Sequence, residues 1–297
     1  MAALLRYGNI GAQPRALPFL LQPVNPNLRI LVSNDDGIDA PGIFALVTAL
    51  RSVGHVDVVA PMTQQSAVGH ALTVALPLRA IRRERQGQPF GWGVSGTPAD
   101  CIKLGTQHLL EAQPDLVVSG INHGRNTAVS LIYSGTVSAA TEAAVLGIPS
   151  IAISLDDVSD EADFSAAALV AQWITPIVAE RGLPRGVLLN VNVPRLPASE
   201  IRGIRVAPQG ESYWNDIYER RLDPMGRPYY WLSGEHVLVG PKESDDGLLT
   251  DGYVTLTPVH YRLTEEPMLA TMRGWGIESE NGLLRSLSAN APAGSGR

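Results

Sequence analysis

Cysteine is almost absent from this 297-residue chain: Cys101 is the only one, which excludes an internal disulfide framework and any Cys-rich zinc site. Charge of one sign is not in excess either. Lys and Arg number 23 against 29 Asp and Glu, a net charge of −6, so a fold-wide basic surface for a nucleic acid polymer is not expected. Long apolar runs are missing. The longest uncharged stretches, such as 136–155, are broken by Glu142, Gly147 and Pro149, so no membrane association is expected. The apolar patch at 17–21 is short, and Pro18, Pro23 and Pro26 interrupt or follow it, unlike a secretory signal. A reducing, cytoplasmic setting fits. Neither a G-x-x-x-x-G-K phosphate loop nor a G-x-S-x-G elbow occurs.

What remains is a folded enzyme-sized chain. Apolar residues make up 45% and charged residues 18%, enough for a large core. Residues 1–27 read as an extension ahead of the domain. From Leu28 the pattern alternates. Residues 28–33, 56–60, 116–119, 150–155 and 187–193 are short apolar runs, the mark of buried strands. Between them, 42–53, 99–112, 136–146 and 164–181 carry helical periodicity, and residues 72–78 alternate like a further strand. Alternating strands and helices predict a three-layer α/β/α, Rossmann-like core over 28–199 with a mostly parallel sheet. Residues 200–275 are richer in Tyr, Trp and Pro and read as β-rich, with hairpin-like pieces at 229–232 and 253–258 and a helix at 266–273. The tail, 276–297, reads as partly disordered.

In such sheets ligands sit at the carboxyl ends of the strands. Asp35 and Asp36 follow the first strand, Ser66 the second and Asn122 the third. All four offer hard oxygen donors, a set suited to Mg²⁺ or Mn²⁺ rather than Zn²⁺. Two adjacent carboxylates also repel unless a cation or proton lies between them. Tyr133-Ser-Gly-Thr136 directly precedes an Ala-rich helix, whose N-terminal N–H groups favour an anion. Ser134 and Thr136 add hydroxyls, and Asn126 lies within reach in sequence to donate an amide N–H. Water or one of Asp35 and Asp36 could attack a bound phosphate; the sequence leaves both routes open. His70 and His123 flank the same loops and read mainly as loop hydrogen-bonders. Gly91-Trp-Gly-Val-Ser-Gly96 matches a dinucleotide fingerprint but lacks the preceding buried strand, so it reads as chance. The Arg-rich segment 82–91 reads as a solvated hairpin or loop, and Trp173 as core.

These residues resemble the SurE family, the stationary-phase survival-protein nucleotidases. The resemblance is carried by Ile30-Leu-Val-Ser-Asn-Asp-Asp-Gly-Ile-Asp-Ala-Pro-Gly42, Val94-Ser-Gly-Thr-Pro-Ala-Asp-Cys-Ile-Lys103, Val117-Val-Ser-Gly-Ile-Asn-His-Gly124, Tyr133-Ser-Gly-Thr-Val137 and Gly252-Tyr-Val-Thr-Leu-Thr-Pro258. It spans roughly residues 28–275. It implies a metal-dependent phosphatase acting on nucleoside 5′- and 3′-monophosphates, with short polyphosphate a further substrate in some members. The implied metal ligands are Asp35, Asp36, Ser66 and Asn122, holding one Mg²⁺ or Mn²⁺ per subunit, with Asp35 and Asp36 catalytic. The implied phosphate contacts are Asn126, Ser134, Gly135 and Thr136. The family also implies a homodimer or homotetramer with a subunit-exchanged β-arm, for which 213–232 is the candidate. One departure stands out: many members carry acidic residues where this chain reads Thr127-Ala-Val-Ser-Leu-Ile132. A dehalogenase-like phosphatase is disfavoured because Asp35 and Asp36 are adjacent, not spaced as Asp-x-Asp. A nucleotide-binding module without turnover is the other rival.

Overall fold

The computed structural model describes residues 27–278. Its chain divides into two compact units, one ending at Val259 and the other beginning at His260. The first unit is built on a nine-stranded sheet. In chain order the strands and helices are β1 (Arg29–Ser33), α1 (Pro41–Leu50), β2 (His55–Pro61), β3 (Ala80–Arg85), β4 (Gln88–Val94), α2 (Pro98–Leu104), β5 (Leu116–His123), α3 (Gly135–Val145), β6 (Ser150–Leu155), α4 (Ser165–Arg181), β7 (Val187–Val193), β8 (Ile204–Val206), β9 (Tyr213–Leu222), β10 (Pro228–Val237), α5 (Asp245–Thr250) and β11 (Val254–His260). The second unit holds α6 (Glu266–Gly274), at the helix expected over 266–273.

The sheet order is β3-β4-β2-β1-β5-β6-β7-β11-β8. β1 pairs in parallel with β2 on one side and β5 on the other, so the strand order reverses at β1. That reversal opens a crevice beyond the carboxyl ends of β1 and β5, where doubly wound sheets bind ligands.

The two-residue period of β1 decides which layer each side chain enters. Ile30 and Val32 join one core with Ile43, Leu46, Val47 and Leu50 of α1 and Ala167, Ala171, Ile174 and Val178 of α4. Leu31 points the other way, to Val59, Cys101, Ile102 and Ala139 in the core under α2 and α3. Both faces of the sheet are covered, which is why the central strands read as unbroken apolar runs.

Local chemistry sets the helix starts. Thr97 and Asp100 form a reciprocal capping box at α2, with Pro98 in its first turn. The Ser134 hydroxyl caps α3 by accepting the Val137 N–H at 3.1 Å.

Three expectations from the sequence change. The helix expected over 99–112 ends at Leu104 and passes into a π-helical turn, Gly105–Leu109. There the Thr106 hydroxyl bonds the carbonyls of Ile102 and Lys103, competing with the helical ladder. Residues 72–78 form no strand despite their alternation; the Thr73 N–H bonds the Asp100 carboxylate and the Ala71 carbonyl takes the Thr97 hydroxyl, so the backbone has no ladder to join. Val74 is left 90% exposed. The 253–258 piece is no hairpin: it forms β11, which enters the main sheet and pairs in parallel with β8. The 229–232 piece does lie in a hairpin, β9–β10, paired antiparallel from Tyr213↔Val237 to Leu222↔Pro228.

The 82–91 segment forms the β3–β4 hairpin, with the Arg82 guanidinium stacked over Trp92. Gly91 lies inside β4, where a Cβ would sit 2.5 Å from the Val58 carbonyl oxygen, so this glycine serves close strand packing and not a phosphate turn. Trp173 packs against the α4-side core. The expectations for residues 1–26 and for most of the 276–297 tail lie outside the described residues.

Candidate active site

The site begins where β1 runs out. Asn34 is fully buried, and its side-chain amide donates to the Gly37 carbonyl at 2.9 Å, closing the Asn34-Asp-Asp-Gly37 turn. Gly37 has φ of +100°, a conformation that side chains rarely adopt. The Ile38 N–H then bonds the Pro61 carbonyl at the end of β2. The turn is thus fixed at both ends, and Asp35 and Asp36 project at the crevice.

Asp35 is buried. Its Oδ1 accepts a hydrogen bond from the Thr136 hydroxyl in the first turn of α3. Thr136 Oγ1 also lies 3.5 Å from Asn122 Oδ1. Asn122 donates its own amide to the Gly124 carbonyl at 2.7 Å, which leaves its oxygen toward Thr136. Asp36 is half-buried, and its Oδ2 accepts the His123 backbone N–H at 3.1 Å. Three expected ligands, Asp35, Asp36 and Asn122, are therefore held together by β1, β5 and the start of α3.

Ser66 stands on an exposed loop, where its hydroxyl accepts from the Gln64 amide. That loop is pinned on both sides of the serine: the Gln65 N–H bonds the Asp35 carbonyl at 2.7 Å and the Gly69 N–H bonds the Tyr133 carbonyl at 3.1 Å. The loop spans from Asp35 to the residue preceding Ser134.

Gly135 lies directly against the carboxylate. A Cβ there would come within 2.6 Å of Asp35 Cβ and 2.8 Å of its Oδ2. Only glycine lets the helix N-terminus approach Asp35 this closely. Asn126 is placed differently. Its side-chain amide donates to Ser154 Oγ at 2.8 Å, its N–H to Asn192 Oδ1 at 2.8 Å, and its carbonyl accepts from Asn190 and Asn192. One of its two amide hydrogens is thus committed to β6. The histidines are anchored: His70 Nε2 lies 2.8 Å from Glu142, and His123 Nε2 lies 2.7 Å from the Ser159 carbonyl, the arrangement of an Nε2–H donor.

Burial pushes the Asp35 carboxyl up to about 6; the Thr136 hydrogen bond opposes this and the charge of Asp36 adds to it. Burial also raises Asp36, against the His123 N–H and ring. Among the described residues neither carboxylate has a Lys or Arg partner. Two adjoining, unpaired carboxylates beside an amide oxygen and a serine loop fit a hard divalent cation. Among the described residues no three His, Cys, Asp or Glu side chains are grouped so as to hold a metal ion.

One group of residues had no sequence signal. Arg125 donates to both oxygens of Asp156 at 2.7 and 2.6 Å and to Asp246 at 2.8 Å, and Thr127 also bonds Asp246. Asp246 is 121 positions from Arg125, so no local spacing could announce the pair. Burial raises the Asp246 carboxyl, but the hydrogen bonds from Thr127 and Arg125 outweigh it and hold it below the usual range.

Carboxylates at the switch point of a doubly wound sheet, with Asp35 against a helix N-terminus across a glycine, mark an α/β protein of the doubly wound class. The family model described as Survival protein SurE matches residues 30–216, and the chain belongs to that family. It is similar to the 5′-nucleotidase SurE of Syntrophobacter fumaroxidans, with 49% identity over 251 residues, covering 84% of this chain and 100% of that protein. It is 45% identical over 251 residues to the 5′-nucleotidase SurE of Christiangramia forsetii, covering 84% and 96%. The crystal structure of the SurE protein from Aquifex aeolicus matches with a TM-score of 0.72 and 40% identity, covering 84% of this chain and 99% of that one.

Proposed function

We propose that this chain is a metal-dependent 5′-nucleotidase, a phosphomonoesterase that releases phosphate from nucleoside 5′-monophosphates. The observation that carries the reading is the Asp35–Thr136 contact across Gly135, which sets the Asp35 carboxylate against the N-terminus of α3. The printed names of the curated relatives support the same activity. Nucleoside 3′-monophosphates and short polyphosphate belong to the proposed substrate range.

Asp35, Asp36, Ser66 and Asn122 would hold one Mg²⁺ or Mn²⁺ ion per subunit. Such an ion, when bound, activates water and screens the negative charge of the phosphate. The chain's own groups do the rest. The Gly135 and Thr136 N–H groups and the Ser134 hydroxyl hold the non-bridging oxygens as charge redistributes. Asn126 contributes its second amide hydrogen. Water is the attacking group in this reading, because Asp35 is packed beneath Gly135 with one oxygen on Thr136. Asp36 keeps one oxygen free of the His123 N–H to take the water's proton.

Residues 28–199 are assigned to catalysis and 200–275 to oligomerisation. The β9–β10 hairpin exposes Trp214, Ile217, Tyr218, Trp231 and Leu232, the apolar surface of an arm exchanged within a homodimer or homotetramer. No helix among the described residues is long and apolar enough to cross a membrane. The proposed setting is the cytoplasm, without a nucleic acid polymer as partner.

The test is phosphate release from 5′- and 3′-nucleoside monophosphates with Mn²⁺, with Mg²⁺ and with EDTA. Metal-dependent release from 5′-monophosphates is expected. Tight nucleotide binding without release under any condition would favour a binding module instead.

A further inference from the structure

Residues 127–132 carry no acidic side chain, and carboxylates from far along the chain bind the start of this segment. Asp246 is fully buried in the first turn of α5. Its Oδ1 accepts from Arg125 Nη1 at 2.8 Å and from the Thr127 hydroxyl at 2.9 Å. The adjacent Asp245 accepts the Ala128 N–H at 3.1 Å and the Gly210 N–H at 2.8 Å. Gln209 closes the clamp by donating to the Ala128 carbonyl at 2.9 Å. Ala128 has φ of +48°, a backbone conformation that non-glycine residues rarely adopt, and both of its peptide groups are taken by these C-terminal residues. The other oxygen of Asp246 lies 3.3 Å from Nε2 of His236, at the root of the β9–β10 hairpin.

The clamped residues flank Asn126, and the chain immediately before them carries the Gly124 carbonyl that orients Asn122. We propose that Asp246 is a positioning residue of the phosphate site, which through Arg125 and Thr127 fixes the segment that aims Asn122 and Asn126. The proposal rests on the nucleotidase reading for its kinetic consequence, and on the hydrogen-bond geometry alone for its structural one. Removing a hydrogen-bonding group that orients a ligand-bearing residue typically costs about 10–100-fold in affinity or activity.

The experiment compares wild type with Asp246→Asn, Thr127→Val and Thr127→Ser. Asp246→Asn keeps the size and one acceptor oxygen but removes one of the two carboxylate charges that hold Arg125, the other being Asp156. The expected result is a fall in kcat of about 10–100-fold with Mn²⁺ and a nucleoside 5′-monophosphate, KM changing by less than about threefold. Amide hydrogen exchange without metal should quicken over 123–130 while the strands stay protected. Thr127→Val should show the same pattern in milder form, and Thr127→Ser should restore it.

A wild-type-like kcat and unchanged exchange at 123–130 in folded Asp246→Asn would overturn the proposal. Should Asp246→Asn fail to fold, the threonine pair decides: wild-type behaviour of Thr127→Val overturns it, and loss with rescue by Thr127→Ser upholds it. If wild type releases no phosphate from any nucleotide, the nucleotidase reading fails on its own, and the exchange measurement still tests the clamp.

Discussion

The Thr136 hydroxyl donates to Oδ1 of Asp35, joining the first turn of α3 to the turn that follows β1. The two residues are 101 positions apart, yet the parallel pairing of β1 with β5 and the entry of α3 bring them together. Through this contact the expected cation ligands and the expected phosphate cradle become one site. Loss of the hydroxyl in Thr136→Val should leave a folded protein that needs more Mn²⁺ for half-maximal activity. A metal titration superimposable on wild type would show that Thr136 does not support the ligand set.

Gly135→Ala gives a sharper geometric test. The added methyl carbon would lie 2.6 Å from Asp35 Cβ, so the Asp35 side chain or the start of α3 has to shift. Displacing reacting groups by about 1 Å costs on the order of 100-fold in rate, so kcat should fall by about that factor. Circular dichroism should stay helical, because alanine suits a helix better than glycine does.

Asn122→Ala should raise the metal concentration required, since it deletes an oxygen that lies beside Thr136, the partner of Asp35. It also frees the Gly124 carbonyl. Mn²⁺ binding measured by calorimetry checks the assignment; unchanged affinity would remove Asn122 from the ligands.

Stability should respond to pH through Glu142. Its carboxylate is buried in α3; burial raises it, but His70 at 2.8 Å and Lys103 at 2.5 Å more than offset this and hold it below the ordinary carboxylate range. A depressed carboxylate stabilises the fold above its unfolded pKa and loses that contribution as pH falls through its folded pKa. Glu142→Gln should therefore lower the melting temperature at pH 7, by about 2–4 °C for each kcal/mol lost. The gap between the two proteins should close as the pH is taken from 5 toward 3. A gap independent of pH would mean that the ion pair contributes nothing.

Much of this was legible in the sequence, for a physical reason. Strands covered on both faces must be apolar throughout, so β1, β5, β6 and β7 announced themselves, and ligands at a switch point follow the strand ends. What misled was local pattern without a tertiary partner. Residues 72–78 alternate, but Asp100 and Thr97 hold their backbone and no strand pairs with them. The strand at Val254–His260 looked like half of a hairpin, because nothing local says that its neighbours are β7 and β8. The bond from Arg125 to Asp246 was invisible, since a buried ion pair between distant positions leaves no period to read. Asn126 was recognised as a polar residue of the site loop, but its ties to Ser154 and Asn192 come only from the packing of β6 and β7.

The central claim is that Asp35 and Asp36 hold the cation on which turnover depends. The most direct measurement is phosphate release from nucleoside 5′-monophosphates by wild type, Asp35→Asn and Asp36→Asn, each with Mn²⁺ and with EDTA. The account predicts release by wild type with Mn²⁺ alone and none above background from either folded variant. Wild-type-like release by both variants, or release by wild type that survives EDTA, would contradict it.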